Sequence, residues 1–367
     1  MINSSDFYDF LEDNRLSIEE YIHRLENEPG SVTNKQLITE LFQNISKKAK
    51  EHEMFDVESF SMALATVCSA IDNKNYAFIT LLSDVILLSV DHLYDFTKNL
   101  IEPIPNFDQN QTALIQASLI ELSEAEYTKL EEYAQKTLNV LTSQLLITDA
   151  ATPNTLAAAS EPSQNKAEFA QKLADHTVKT EQDLLFFKTL ISELEFRFPT
   201  LDKRGERIIP IALGMNALAD NPVNPLQLEA AIYLHDVGMA FIPDVILLKK
   251  EVLIPQEREI LERHPSVMAN LLTRLGDWEE AAEMVLQHHE KVDGSGYPNG
   301  LTSDKICDGA KILAILDAFD AMTHIRSDRP FKKTILRAVN EIFKNTSQFD
   351  MNWVKNFIQV VKQHYID

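Results

Sequence analysis

Two cysteines, Cys68 and Cys307, are all that 367 residues contain. They lie far apart, so no disulfide framework is available, and a reducing cytoplasm is the expected compartment. Positive charge is also short: 34 Lys and Arg stand against 56 Asp and Glu, a net charge of −22. A surface that acidic repels phosphate backbones, which argues against nucleic acid as a partner. A small phosphate ligand stays compatible if a local cation or metal ion attracts it. Long apolar runs are missing as well. The most apolar stretch, "ITLLSDVILLSV", is interrupted by Asp84 and is too short to span a bilayer, so no membrane association is expected. The acidic start "MINSSDFYDFLEDN" does not fit a secretory signal or transit peptide.

Alternating strand patterns are scarce, and helical periodicity is not. Phe60, Leu64, Val67 and Ile71 form one stripe, and Leu130, Ala134, Leu141 and Leu145 another. Leu184, Phe187, Ile191 and Leu194 form a third. The segment "LQLEAAIYLHD" predicts a helix closed by Gly238. Pro255, Glu257 and Glu259 suit the first turn of another, and Asp277 is the expected N-cap of "DWEEAAEMVLQHHE". The fold class is therefore all-α. Residues 148–168, rich in Ala, Ser, Thr, Pro and Asn, predict a flexible linker between a helical domain at 1–147 and a second at 169–367.

Glycine is rare too, with nine in the chain, yet three fall within "HHEKVDGSGYPNG", residues 288–300. Gly294 and Gly296 there would permit positive φ. On the preceding helix Trp278, Ala282, Val285 and His289 share one face, and His288 lies about 100° around the axis. Two adjacent imidazoles converge only where such a helix ends. His235, His264, His288 and His289 lie near helix ends, with Asp236 beside His235 and Asp317 inside the apolar "ILAILDAFDAM". A carboxylate in such a setting is costly without a cation. Four imidazoles and two carboxylates form a mixed N/O set that suits Fe, Mn or Zn better than Mg or Ca.

These segments resemble the HD-GYP family of metal-dependent phosphodiesterases. The resemblance rests on "YLHDVGMAFIPDVILLK", "QEREILERHP", "HHEKVDGSGYPNGL", "ILAILDAFDAMT" and "SDRPFKK", from about residue 184 to 335. It implies a helical bundle around two divalent ions, Fe or Mn, and hydrolysis of cyclic di-GMP to a linear dinucleotide and, by further cleavage, GMP. It implies metal ligation by His235, Asp236, His264, His288, His289 and Asp317. Asp236 would bridge, His264, His288 and His289 would serve one ion, and His235 and Asp317 the other. His235 and Asp236 would be the catalytic pair. Arg329 and Lys332 would contact substrate phosphate, and Tyr297 would line the rim. Diguanylate cyclases, other signalling proteins and a second copy of the chain are the partners such a domain suggests.

Three departures stand out. In "EFRFPTLDKRGERI", residues 195–208, Glu195, Arg197, Pro199, Arg207 and Ile208 keep the family register, but Arg204 stands where a ligand histidine belongs. Thr200 replaces the glutamate of a third metal site. Arginine cannot ligate, so either the second ion is held weakly among water or the guanidinium replaces its charge and leaves a single ion. Met239 replaces a substrate lysine in "HDVGM". About three extra residues, His324 among them, precede Arg329. These departures support an alternative: a degenerate, non-catalytic member that binds cyclic di-GMP or a protein partner. In the N-terminal half, "LFQNISKKAKEHEMFDV" faintly resembles a histidine phosphotransfer domain with Ser46 at the acceptor position; a regulatory or dimerising bundle is the simpler expectation.

Overall fold

The computed structural model describes residues 4–104, 107–146, 166–198, 202–249, 251–324 and 332–365. Their regular secondary structure is helical, with no β-strand; one isolated bridge pairs Asp293 with Thr302. They divide into two compact units: residues 1–147 with 334–337, and residues 148–333 with 338–367. Of the segment read as a linker, 148–165 lie outside the described residues, and 166–168 begin a helix, Lys166–Arg197. No helix among the described residues is long and apolar enough to cross a membrane.

The first unit is built on α1 (Ser4–Asn27), α2 (Val32–Glu51), α3 (Phe55–Asn73), α4 (Thr80–Ile101), α5 (Gln109–Glu124), α6 (Leu130–Leu141) and the short α7 (Ser143–Leu146). Phe60, Leu64, Val67 and Ile71 are all buried, as their spacing requires. The second stripe is interrupted: Leu130, Ala134 and Leu141 line α6, and buried Leu145 belongs to α7, because the helix ends at Thr142. Ser46 is buried and donates to the Glu58 carbonyl at 3.0 Å. A hydroxyl so enclosed is no phosphoacceptor.

The second unit begins with α8 (Lys166–Arg197), α9 (Arg204–Leu218) and α10 (Pro225–Leu234). Short α11 (Asp244–Leu247) and α12 (Pro255–Leu261) lead to α13 (His264–Leu272) and α14 (Glu279–Gln287). Next comes α15 (Asp308–Thr323), and α17 (Met351–Tyr365) packs on α9 and α15 after α16 (Ile335–Lys344). Phe187, Ile191 and Leu194 are buried, with Phe187 edge-on to the enclosed Trp278 at 5.1 Å; Leu184 is half-buried.

Two expected helix ends differ. Asp277 does not cap α14: it is in the left-handed region (φ 62°), and Trp278 holds the N-cap position without a side-chain bond. Gln227 of α10 does the capping from outside. Its Oε1 accepts from Ala281 N at 2.9 Å, and its Nε2 donates to the Asp277 carbonyl at 2.6 Å. The helix before Gly238 ends at Leu234, and Gly238 sits inside a 3₁₀ turn, Val237–Phe241. Glu257 does close its own first turn, accepting from Ile254 N at 3.0 Å.

Candidate metal centre

Three histidines stand at helix ends in the same local arrangement. His235 follows the last turn of α10, His288 follows α14, and His264 opens α13 directly after α12. In each, Nδ1 bonds the carbonyl three residues back: Ile232 at 2.8 Å, Leu261 at 2.8 Å and Val285 at 2.7 Å. A carbonyl only accepts, so each Nδ1 carries the proton and each Nε2 presents a lone pair. All three Nε2 atoms are buried without a hydrogen-bond partner. Such orphaned acceptors are costly, and a cation satisfies them.

The rings then converge. His264 lies 5.4 Å from His288 and 5.1 Å from His289, centroid to centroid, and His288 and His289 are 4.0 Å apart. Because α14 ends at Gln287, the two neighbouring rings are freed from helical spacing. His288 is the more enclosed of the pair, with 1% of its surface exposed, although the helical face pointed to His289. Burial drives the imidazoles toward the neutral form: His264 is lowered, His288 well below the usual range, and His289 to about 3.

Two groups of ligand-type side chains could hold a divalent ion: His264 with His288 and His289, and His235 with Asp236 and Asp317. Asp236 lies between them. Its Oδ1 is 3.8 Å from His264 Nε2 and its Oδ2 is 3.3 Å from His235 Nε2. Burial by itself would push this carboxyl up, but the adjacent His235 ring and the Arg204 guanidinium outweigh it and hold the group well below the usual range. Donors of this type fit an ion at the three-histidine group. At the second group a cation is already present: Arg204 donates through Nη1 to Asp236 Oδ2 and through Nη2 to Asp317 Oδ1.

The glycine-rich turn closes over the histidines. Buried Glu290 accepts from Asn299 N at 2.7 Å and Leu301 N at 2.8 Å, which clamps the loop. Gly294 has φ 82°, as expected, but Gly296 does not share that conformation. Gly296 is needed for closeness: a Cβ there would lie 2.3 Å from Lys291 N. Tyr297 lies with its ring 4.8 Å from that of His289, and burial raises its hydroxyl pKa.

Lys332 is exposed, and Arg329 and Thr200 lie outside the described residues. Met239 is half-buried in the 3₁₀ turn, and His324 is partly exposed with Nδ1 3.1 Å from Asp320 Oδ1. Four contributors went unread: Arg207, Asp320, Glu290 and Gln227. A signal existed for the first two. Arg204 and Arg207 on α9 and Asp317 and Asp320 on α15 are both spaced i, i+3, so each pair shares a helix face and their charges are opposite.

Residues 188–353 match the family model for an HD domain. Over 120 residues the chain is 42% identical to a cyclic di-GMP phosphodiesterase of Thermotoga maritima, covering 32% of each chain. Over 108 residues it is 41% identical to the cyclic di-GMP phosphodiesterase response regulator RpfG of Xanthomonas campestris, covering 29% of this chain and 28% of the relative. A 3′3′-cGAMP-specific phosphodiesterase of Vibrio cholerae is 45% identical over 103 residues, 28% of this chain and 20% of the relative. The chain thus spans about a third or less of the length of these relatives.

Proposed function

We propose that this chain, whose residues 188–353 match the HD domain model, is an HD-GYP-type, divalent-metal-dependent phosphodiesterase. Its substrate is cyclic di-GMP and its product a linear dinucleotide, with GMP on further cleavage. One observation carries this reading. His264 and His288 are locked in the tautomer that turns a bare Nε2 inward, beside His289 and the ionised Asp236. The names of the relatives supply the substrate class.

His264, His288 and His289 would hold the ion, with the Asp236 carboxylate beside them; Fe or Mn would suit three imidazoles and a carboxylate. An ion held there would supply Lewis acidity toward a phosphodiester oxygen and lower the pKa of water. The rest falls to the chain. Asp236 stays ionised and His235 stands against it at 3.3 Å, so this pair faces the reacting atoms as anchor and orienting group. Tyr297 forms the rim beside His289. Lys332 and Arg329 supply positive charge to phosphate, which a chain of net charge −22 must concentrate locally. In the hydrolysis, water oxygen bonds to phosphorus, the P–O3′ bond breaks, and the departing ribose oxygen takes the proton.

Residues 1–147 serve as a regulatory or dimerising domain, joined through 148–168 to the phosphodiesterase domain at 169–367. The protein works in the cytoplasm, with diguanylate cyclases or other signalling proteins as partners and no role for nucleic acid or membrane.

The test uses the full chain reconstituted anaerobically with Mn(II) or Fe(II), incubated with cyclic di-GMP, and chromatography of the products. A linear dinucleotide supports the reading, and 3′3′-cGAMP as competitor sets its specificity. Intact substrate after prolonged incubation sinks it. Tight binding without turnover would then favour the second reading, a non-catalytic cyclic dinucleotide sensor, which Met239 and the Arg204 contacts motivate.

A further inference from the structure

The guanidinium of Arg204 is enclosed, with 4% of its side chain exposed, and it faces three carboxylates. Nη1 donates to Asp236 Oδ2, and Nη2 donates to Asp317 Oδ1 and reaches the Asp317 carbonyl at 3.4 Å. Nε lies 3.3 Å from Asp320 Oδ2. Asp320 is itself gripped by Arg207, Nε to Oδ1 at 2.9 Å and Nη2 to Oδ2 at 3.1 Å.

We infer that Arg204 is a permanent cation in the place of a second metal ion, so that this domain binds one ion per chain, at His264, His288 and His289. The inference builds on the metal-centre reading above and deepens it.

Geometry and charge both require this. The second group of ligand-type residues is His235, Asp236 and Asp317. Both of its carboxylates already bond Arg204, and the Asp236 oxygen nearer His235 is the one Nη1 occupies. A dication there would have to displace the guanidinium or sit against it. Leaving a guanidinium buried without its carboxylates is strongly unfavourable. It is also held from behind, because Arg207 fixes Asp320, which pairs with Nε. Asp236 therefore still bridges, but between a guanidinium on Oδ2 and the histidine group on Oδ1. Three carboxylates set against two guanidinium groups leave one negative charge for the ion at the histidines.

Metal content decides this without reference to turnover. The full chain, loaded anaerobically with Mn(II) and desalted, is expected to retain one ion by plasma mass spectrometry, with the six-line resonance of an isolated Mn(II). Two retained ions, or an exchange-coupled spectrum, would overturn the inference. His288→Ala is expected to bring the content to zero. Asp317→Asn is expected to leave it at one, and a drop to zero would overturn the assignment of the ion to the histidines. Arg204→His, with folding verified by circular dichroism, is expected to take up a second ion; a folded variant that still holds one would show that Arg204 is not what excludes it. If Arg204→His does not fold, the Asp317→Asn and His288→Ala counts still decide. A chain that binds one ion but leaves cyclic di-GMP intact refutes the proposed activity and leaves this inference standing.

Discussion

The backbone of Gly238 lies directly against the carbonyl of His264: a Cβ at Gly238 would stand 2.2 Å from that oxygen. The 3₁₀ turn after His235 and Asp236 is thus pressed onto the first turn of α13, and this contact sets the distance between two histidines. Gly238→Ala is expected to cost about 3 kcal/mol, the upper end of overpacking costs. It should also weaken metal retention, since His264 and Asp236 are pushed apart. Urea denaturation with and without Mn(II) measures both effects.

Glu290 holds the glycine-rich turn through two backbone N–H groups. In Glu290→Gln, one carboxamide nitrogen would face a donor, and an unsatisfied buried pair costs about 1–3 kcal/mol. The expected result is faster proteolysis within 291–303 at unchanged metal content. If metal content falls in step with proteolysis, the loop is part of the ligand shell and this division of roles is wrong.

Burial lowers the imidazoles of His264, His288 and His289, the last to about 3. An unfolded histidine near 6.5 takes a proton that the folded one refuses, so the unfolded state binds more protons as pH falls. Stability from these groups is fully present above about pH 6.5 and is lost as pH drops from there toward 3, each histidine contributing up to about 1.4 kcal/mol per pH unit. Chelator-treated protein should therefore show a melting temperature that falls steadily between pH 6.5 and 4.5. A flat profile would mean that the imidazoles are protonated in the fold.

Both cysteines are pushed up by burial, Cys68 to about 12 and Cys307 to about 11. At pH 8 their thiolate fraction falls by roughly two orders of magnitude or more relative to a free thiol. Neither is expected to react with iodoacetamide in the native protein within an hour, and both should react after denaturation. Rapid native labelling of Cys68 would contradict its place in the core of the first unit.

Most of the helices and the histidines and aspartates that gather at the candidate site were legible in the chain itself. Helical stripes such as Phe60, Leu64, Val67 and Ile71 are local, and burial follows from period alone. Imidazole pairs and lone carboxylates in apolar helices are ligand-type groups by their chemistry, whatever the fold. Helix ends were less legible. Asp277 is a good cap by type, but Gln227, fifty residues earlier in the chain, caps α14 instead. Gly296 was read for its torsion angles, and its purpose is a close approach that only the closed loop reveals.

From the sequence alone, Arg204 stood in the register of a missing ligand, with two consequences equally open. The choice between them depends on where a flexible guanidinium ends, and local periodicity carries no information about that. Asp236 lies 32 residues away along the chain and Asp317 lies 113 away. Only the packing of α9 against α15, with Asp320 held by Arg207, puts the guanidinium between those carboxylates. The sequence by itself determined which side chains are of metal-ligand type; tertiary structure decided which of them already face a guanidinium, because Coulomb pairing acts through space between elements the chain keeps far apart.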